Sequence, residues 1–321
     1  MIEIDDALSG DAGPTLAQDV LEGLSREHKE LSPKHLYDSR GAALFDEICE
    51  LEEYYPTRTE RLILERDAGA IAAATGAAEL VELGSGSAIK TRLLLDALAA
   101  AGTLRRYVPV DVTERVVRES AAELAAAYPG MDVHGLVGDF LRHLGRLPEP
   151  AGPRLIAFIG GTIGNFRPGE RRELLAAIAG QLGPRGHLLL GTDLVKDRAV
   201  LEAAYNDARG VSARFNLNIL QVLNRELGAQ LDPAAFDYVA TFDEEHEWID
   251  IRLRSRVAQA VEIPAIGLVA RLREGEEIRT EISAKFTRQR AWDDLRAAGL
   301  EPVAWYTDPR EWFALTLARA A

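Results

Sequence analysis

The chain has 321 residues, of which 47% are hydrophobic and 27% charged, a globular composition that excludes a disordered or collagenous chain. With 37 Lys plus Arg against 51 Asp plus Glu the net charge is −14, which disfavours phosphate backbones and anionic membranes as partners. The single cysteine, Cys49, excludes an intrachain disulfide and fits a reducing cytoplasm. In chain order, the first clear buried strand is Glu79–Leu83, an apolar run ending in Gly-Ser-Gly. Residues 89–101 then repeat apolar positions at helical spacing. Residues 107–112 read as a second strand, with Thr113 placed to cap a helix running towards Tyr128. Residues 133–137 form a third strand before Gly138-Asp139-Phe140, and 155–159 a fourth, apolar enough to be buried on both faces. A helix over 169–182 ends at Gly183-Pro184, and 187–190 form a fifth strand before Gly191-Thr192-Asp193.

This alternation implies a parallel sheet with right-handed crossovers. Beyond Asp193 the period changes. Residues 197–228 read as helical and 236–286 as antiparallel strands, as in Ile249-Asp250-Ile251-Arg252-Leu253-Arg254. A helix over 288–299 and strands at 303–306 and 312–317, around a turn at Asp308-Pro309, complete the chain. The expected architecture is a doubly wound α/β domain, 59–196 with 285–321, interrupted by an α+β lobe made of 1–58 and 197–284. The stretch MIEIDDALSGDAG lacks the basic-then-apolar pattern of a signal peptide, and no apolar run approaches the roughly 20 residues that cross a bilayer. The six histidines form no close pair and have one cysteine between them, so no metal site is expected. Trp248, Trp292, Trp305 and Trp312 read as packing residues, Cys49 as a small buried apolar residue, and Asp243-Glu244-Glu245-His246-Glu247 as a solvated turn.

Val81-Glu82-Leu83-Gly84-Ser85-Gly86-Ser87 is a glycine loop at a strand end, where a ligand can approach the backbone and the following helix offers free N–H groups. The dinucleotide fingerprint requires a third glycine where Ile89 stands, and the nucleotide P-loop requires one before Lys90-Thr91, so both fail. An acidic residue two positions before Gly-x-Gly suits S-adenosylmethionine (SAM). Asp111, at the next strand end, can accept both ribose hydroxyls of an adenosine or cap the helix after it. Asp139 and Phe140, after the third strand, can bond and stack an adenine. The three strand ends share the carboxyl edge of the sheet, where ligands bind in such folds. The antiparallel last strand also matches the Rossmann-like class I SAM methyltransferase sheet.

Leu36-Tyr37-Asp38, Glu53-Tyr54-Tyr55-Pro56-Thr57-Arg58, Gly160-Gly161-Thr162-Ile163-Gly164-Asn165-Phe166, Gly191-Thr192-Asp193-Leu194-Val195-Lys196-Asp197, Ala204-Tyr205-Asn206 and Thr280-Glu281-Ile282-Ser283-Ala284-Lys285-Phe286 are too specific for bare packing. Together they closely resemble the bacterial L-histidine Nα-methyltransferases of ergothioneine biosynthesis, over essentially the whole chain. The resemblance implies a two-lobed cytoplasmic monomer that uses SAM three times to convert free L-histidine to hercynine. It implies SAM contacts at Gly84, Lys90, Asp111, Asp139 and Phe140. Tyr54, Asn165 and Tyr205 then hold the carboxylate and amine of the amino acid, Glu281, Ile282 and Ser283 meet the imidazole, and Tyr37 lies near the reacting nitrogen with Asn165. Ile251 stands where members carry methionine, and Ala284 where others carry cysteine.

Glu281 and Ser283 are two apart, so on a strand they share a face and can bond both imidazole nitrogens. Tyrosines and an amide fix an amino acid without an anion that would favour the ammonium form, so no dedicated strong base is expected. Their rings also accommodate the growing cation. Three rivals carry different expectations. A methyltransferase for tryptophan or tyrosine would leave Glu281 unpaired. A SAM sensor would have no use for the acceptor residues. An enzyme acting on protein or nucleic acid would require an open, less acidic site.

Overall fold

The computed structural model describes every residue except 10–14, 87, 89 and 184, so the sequence positions Ser87, Ile89 and Pro184 lie outside the described residues. In chain order the elements begin with β1 (Ile2–Asp6), α1 (Leu16–Ser25), β2 (Lys29–Glu30), α2 (Ser39–Cys49) and α3 (Tyr55–Thr75). Strands and helices then alternate: β3 (Glu79–Leu83), α4 (Thr91–Ala100), β4 (Arg106–Asp111), α5 (Glu114–Ala127), β5 (Asp132–Val137), α6 (Phe140–His143), β6 (Arg154–Phe158), α7 (Pro168–Ala179) and β7 (His187–Asp193). There follow α8 (Arg198–Tyr205), α9 (Val211–Leu227), β8 (Phe236–Asp243), β9 (Trp248–Ser255), β10 (Gln259–Ile263), β11 (Leu268–Leu272) and β12 (Glu277–Ala284). The last elements are α10 (Arg288–Ala297), β13 (Leu300–Thr307) and β14 (Phe313–Ala320). The chain divides into two compact units. One is Met1–Asp11, Pro56–Leu194 and Phe286–Ala321; the other is Ala12–Tyr55 and Val195–Lys285.

In the first unit eight strands form one sheet in the order β1-β5-β4-β3-β6-β7-β14-β13. The strands from β1 to β7 run parallel to their neighbours, whereas β14 is antiparallel to both β7 and β13. The winding reverses between β3 and β6, which makes their carboxyl ends the switch point where such sheets bind ligands. This is the Rossmann-like class I methyltransferase sheet. Every residue of β3 and β6 is buried. Ile63, Leu64 and Ile71 of α3 and Leu94, Leu95 and Leu98 of α4 share one core with Leu80, Tyr107 and Leu155 of the strands.

One boundary differs from the expectation. The expected second lobe takes in all of residues 1–58, but β1 pairs in parallel with β5 from Ile2↔Val133 to Asp6↔Val137. It is an edge strand with largely exposed residues, and only Ile4 packs against the core. A short acidic strand of this kind carries no buried-strand signal.

In the second unit the sheet order is β2-β12-β9-β8, with β10 and β11 as a separate hairpin. Phe215, Ile219, Leu220, Leu223 and Leu227 of α9 recur at helical spacing and pack with Leu253 and Ile278 of the sheet. The helical stretch expected over 197–228 consists of two helices, α8 and α9. Between them Gly210 adopts φ +65°, and the Asp207 carboxylate accepts from the amides of Val211 and Ser212, each at 2.8 Å. A carboxylate on the free amides of a helix start stabilises the break. Among the described residues no helix is long and apolar enough to cross a membrane.

Arg154, at the start of β6, is 1% exposed and its partner Glu79 in β3 is fully buried. Arg154 also donates to the carbonyls of Gln181 and Pro148, and Glu79 receives Arg106 as well. Removing one member of a buried ion pair strands the other, so Glu79→Ala is expected to cost about 3–5 kcal/mol in urea unfolding. A loss under about 1 kcal/mol, the range of a surface pair, would show that solvent reaches Arg154.

Candidate active site

The glycine loop follows β3 directly. Gly84 and Gly86 adopt φ +73° and +47°, which other residues rarely tolerate, and a Cβ at either would meet nothing within 4 Å. The glycines are therefore required by the backbone path and not by crowding. The amides of Gly84 and Ser85 donate to the Val110 carbonyl at 2.8 and 3.2 Å. The Gly86 amide donates to Asp111 Oδ2 at 3.2 Å, and the Thr113 amide to Asp111 Oδ1 at 2.9 Å. Asp111 thus ties two strand-end loops together and keeps spare lone pairs on both oxygens. Thr113 occupies the first capping position of α5, but its side chain makes no cap bond.

Asp139 caps the short helix α6 through the Leu141 amide at 2.9 Å, and its own amide donates to His143 Nδ1 at 3.0 Å. The Phe140 ring stands edge-on to Phe158 and Phe166, at 5.3 and 6.3 Å. Lys90 pairs with Glu60, a fully buried carboxylate whose Oε1 accepts from the Gly160 amide at 2.7 Å. Gly160 and Gly161 adopt φ +82° and +72° and lead into a 3-10 turn, Thr162–Asn165, where Asn165 is half-buried. Glu60 was missed from sequence. Its one signal was a glutamate on the buried stripe of α3 that continues through Ile63, Leu64 and Ile71.

Glu82 lies beneath the loop. It accepts from Thr91 Oγ1 and, at 2.6 Å, from the Tyr107 hydroxyl. Burial pushes its carboxyl up to about 7, against the opposing pull of those two bonds and of the Lys90 charge. Ser85 Oγ is buried with no partner among the described residues. An open glycine cradle, an unpaired buried hydroxyl and carboxylates at successive strand ends fit a SAM nucleoside and its polar tail.

In the second unit Tyr37, Phe45, Tyr54 and Tyr205 form a chain of edge-on rings at 5.6, 6.3 and 6.1 Å, with Phe215 at 5.3 Å from Tyr37. The Tyr205 hydroxyl lies 2.7 Å from Ser283 Oγ. Burial pushes the Tyr54 phenol well above its ordinary range, and neighbouring Tyr205, Cys49, Tyr37 and Glu281 add to the shift. Burial and then Glu281 do the same to Tyr238, whose hydroxyl donates to the Tyr205 carbonyl at 2.8 Å. The structure therefore gathers Tyr37, Tyr54, Tyr205, Glu281 and Ser283 into one cluster.

A register shift makes this possible. β12 pairs with β9 through Ile278↔Leu253 and Glu281↔Ile251, with an irregularity between Arg279 and Glu281. Simple alternation would put Glu281 on the face of Arg279, which reaches out to Asp250 at 2.6 Å. The bulge turns Glu281 and Ser283 to the face of Ile278 instead. Buried Thr280 donates to Asn216 Oδ1 of α9 at 2.8 Å. Ile282 takes the opposite face, so its side chain does not join the cluster. Ile251 is buried directly across from Glu281, and Ala284 across from Trp248. Asn165 belongs to the first unit.

Phe45, Phe215, Tyr238 and Lys285 joined the cluster unannounced, since single aromatics and a strand lysine have no signature of their own. Trp248 is buried, and Trp292, Trp305 and Trp312 are half-buried, packed under the guanidinium groups of Arg288, Arg296 and Arg310. One packing expectation is corrected, since Cys49 is half-buried and not buried. Among the described residues no group of three or more His, Cys, Asp or Glu could hold a metal ion.

Residues 16–320 match the family described as "Histidine-specific methyltransferase, SAM-dependent". The chain belongs to that family. It is 48% identical over 307 residues to the histidine N-alpha-methyltransferase of Mycolicibacterium smegmatis, covering 96% of this chain and 95% of that one. It is 46% identical to the Mycobacterium tuberculosis protein of the same name, covering 99% of both. The ergothioneine biosynthesis protein 1 of Neurospora crassa is 31% identical over 91% of this chain and 33% of its own length. The glycine loop, the Asp111 and Asp139 strand ends and the bulged β12 thus belong to a SAM-dependent histidine-specific methyltransferase family.

The raised Glu82 carboxyl has a consequence for this family member. The native state holds a proton that the unfolded chain releases above about 4.5, so this contribution to stability is present below that pH and is lost as pH rises through about 7. Glu82→Gln is expected to gain on the wild type by up to about 3 kcal/mol between pH 5 and 8 in denaturant unfolding. A difference constant with pH would contradict the assignment.

Proposed function

We propose that the protein trimethylates the α-amino group of free L-histidine to hercynine, the first step of ergothioneine biosynthesis. The observation that carries this reading is the bulge-directed pair Glu281 and Ser283 beside Tyr54 and Tyr205. A carboxylate that accepts from one imidazole nitrogen and a hydroxyl that donates to the other recognise a neutral histidine ring. Gly84, Lys90, Asp111, Asp139 and Phe140 are the residues proposed to hold SAM. Tyr54, Asn165 and Tyr205 are proposed to hold the α-carboxylate and amine, with Tyr37 and Asn165 nearest the reacting nitrogen and Ile282 adding backbone alone.

Bound SAM supplies an electrophilic methyl on a sulfonium. The amine lone pair attacks that carbon, the carbon–sulfur bond breaks in line, and S-adenosylhomocysteine leaves as a neutral thioether. The protein's share is alignment. The α-amino group of free histidine is an ammonium at neutral pH and each transfer restores the positive charge, so one proton leaves before each of the three attacks, and the third product is a quaternary ammonium. The raised Tyr54 phenol keeps its hydrogen at neutral pH and serves as a donor. Proton release to water accounts for the chemistry without a dedicated base. The aromatic chain offers ring faces and edges to the growing cation. The reading includes a metal-free monomer in the cytoplasm, and the lone Cys49 supports a reducing compartment.

Glu281→Ala tests the reading. Loss of a hydrogen bond to a charged group is expected to lower kcat/KM for histidine by about 10- to 100-fold. Affinity for S-adenosylhomocysteine is expected to stay within about 2-fold, since Glu281 is not among the residues proposed to hold SAM. An unchanged kcat/KM would remove Glu281 from the acceptor site.

A further inference from the structure

Glu60 is fully buried on α3, in the stripe that continues through Ile63, Leu64 and Ile71. An apolar residue would serve the core as well there, because a buried ion pair is often no more stabilising than the apolar residues that replace it. The chain around Glu60 nevertheless makes room for its charge. Oε1 accepts from the Gly160 amide at 2.7 Å, and Oε2 accepts from the Lys90 ammonium. A Cβ on Gly191 of β7 would stand 2.6 Å from Oε1, 3.1 Å from the Ile159 Cα and 3.3 Å from the Gly160 nitrogen. Gly191 is not one of the left-handed glycines, so crowding and not the backbone path requires it. A glycine inside a strand marks such a close approach. Gly191 thus leaves open the slot that the Glu60 carboxylate fills.

Both partners of that carboxylate are donors that cannot accept, an ammonium and a backbone N–H. A carboxylate satisfies the two, one on each oxygen. A glutamine has one oxygen and one NH2 group, so in the same place it would aim a donor at one of two donors. The ion pair is also lopsided. The Glu60 side chain is sealed, whereas 22% of the Lys90 side chain is exposed. The ammonium is therefore the member that a ligand can reach, and Glu60 takes one of its three donors. Lys90 stands at the start of α4, where free amides and the helix dipole favour an anion. SAM has a single anionic group, the α-carboxylate of its amino-acid tail.

We propose that Glu60 is a positioning residue that aims the Lys90 ammonium at the α-carboxylate of SAM. This rests on the reading above that Lys90 holds SAM. Glu82, the second buried carboxylate that acts on Lys90, is already engaged by the hydroxyls of Thr91 and Tyr107. With Glu60 neutralised, Glu82 is left to draw the ammonium beneath the glycine loop. The tail of SAM then loses its partner, while the nucleoside keeps Asp111, Asp139 and Phe140.

The test is calorimetric binding of S-adenosylhomocysteine and of its decarboxylated analogue, which lacks the α-carboxylate alone, to the full-length protein. The wild type and Lys90→Gln come first. No binding by the wild type, or unchanged S-adenosylhomocysteine affinity in Lys90→Gln, overturns the underlying reading and this inference with it. Given a loss in Lys90→Gln, Glu60→Gln is expected to weaken S-adenosylhomocysteine by about 10-fold, the cost of a lost charge-assisted bond. Its affinity for the decarboxylated analogue is expected to stay within about 2-fold of the wild type. In a Lys90→Gln background, Glu60→Gln is expected to change S-adenosylhomocysteine affinity by less than about 2-fold, because no ammonium remains to be aimed.

Gly191→Ala leaves both charges in place and crowds the carboxylate out of its slot. The same pattern between the two ligands is expected of it, and it decides the matter if Glu60→Gln does not fold. Unchanged S-adenosylhomocysteine affinity in folded Glu60→Gln overturns the inference while the assignment of Lys90 stands. An equal loss for both ligands also overturns it, as does a full-sized loss in the Lys90→Gln background. Either is the pattern of a merely structural carboxylate.

Discussion

A carboxylate cut off from water has to be satisfied by protein groups, and Glu60 meets this demand by joining the two loops that flank the switch point of the sheet. One oxygen holds Lys90, at the end of the glycine loop after β3, and the other receives the amide of Gly160, in the loop after β6. These strands are neighbours in the sheet, and their following chains diverge in opposite winding directions. A tie between them fixes the crevice at which sheets wound in this way bind ligands. Asp111 repeats the device one strand further on, between Gly86 and Thr113. The carboxyl edge of the sheet is therefore held in shape by the protein's own polar groups, which is the preorganisation that an alignment-driven reaction draws on.

The second unit reaches a comparable order by a different route. A single irregularity in β12 rotates the strand so that a carboxylate, a hydroxyl and a lysine follow an apolar face inward. Buried polar groups of this kind are tolerated only when mutually bonded. Tyr205, Ser283 and Lys285 satisfy one another. Thr280 is satisfied by Asn216 of α9. The edge-on rings of Tyr37, Phe45, Tyr54 and Tyr205 then line the cluster with aromatic surface.

Much of this was legible in the sequence, for reasons that differ by element. The buried parallel strands carry dense apolar runs and end in glycine or aspartate, so β3, β4, β5 and β6 and the Gly84, Asp111 and Asp139 positions could be read directly. The helical character of 197–228 was legible too, while the place of the break between α8 and α9, at Asp207 and Gly210, is set by a cap and a left-handed glycine that helical spacing does not encode. β1 was invisible as a sheet strand because an exposed edge carries little apolar signal. Glu281 and Ser283 were found through the resemblance, yet their direction depends on a bulge that strict alternation does not encode. Glu60 and Lys285 act through burial, a property of the folded chain that a charged residue in a helix or strand does not announce.

The central claim is that this family member transfers methyl groups to the α-amine of histidine. Mass spectrometry of purified protein with SAM and an equimolar mixture of the twenty amino acids tests it most directly. The account predicts a gain of three methyl groups on histidine, with the other nineteen unchanged. Methylation of a different amino acid, or none with SAM binding intact, would contradict it.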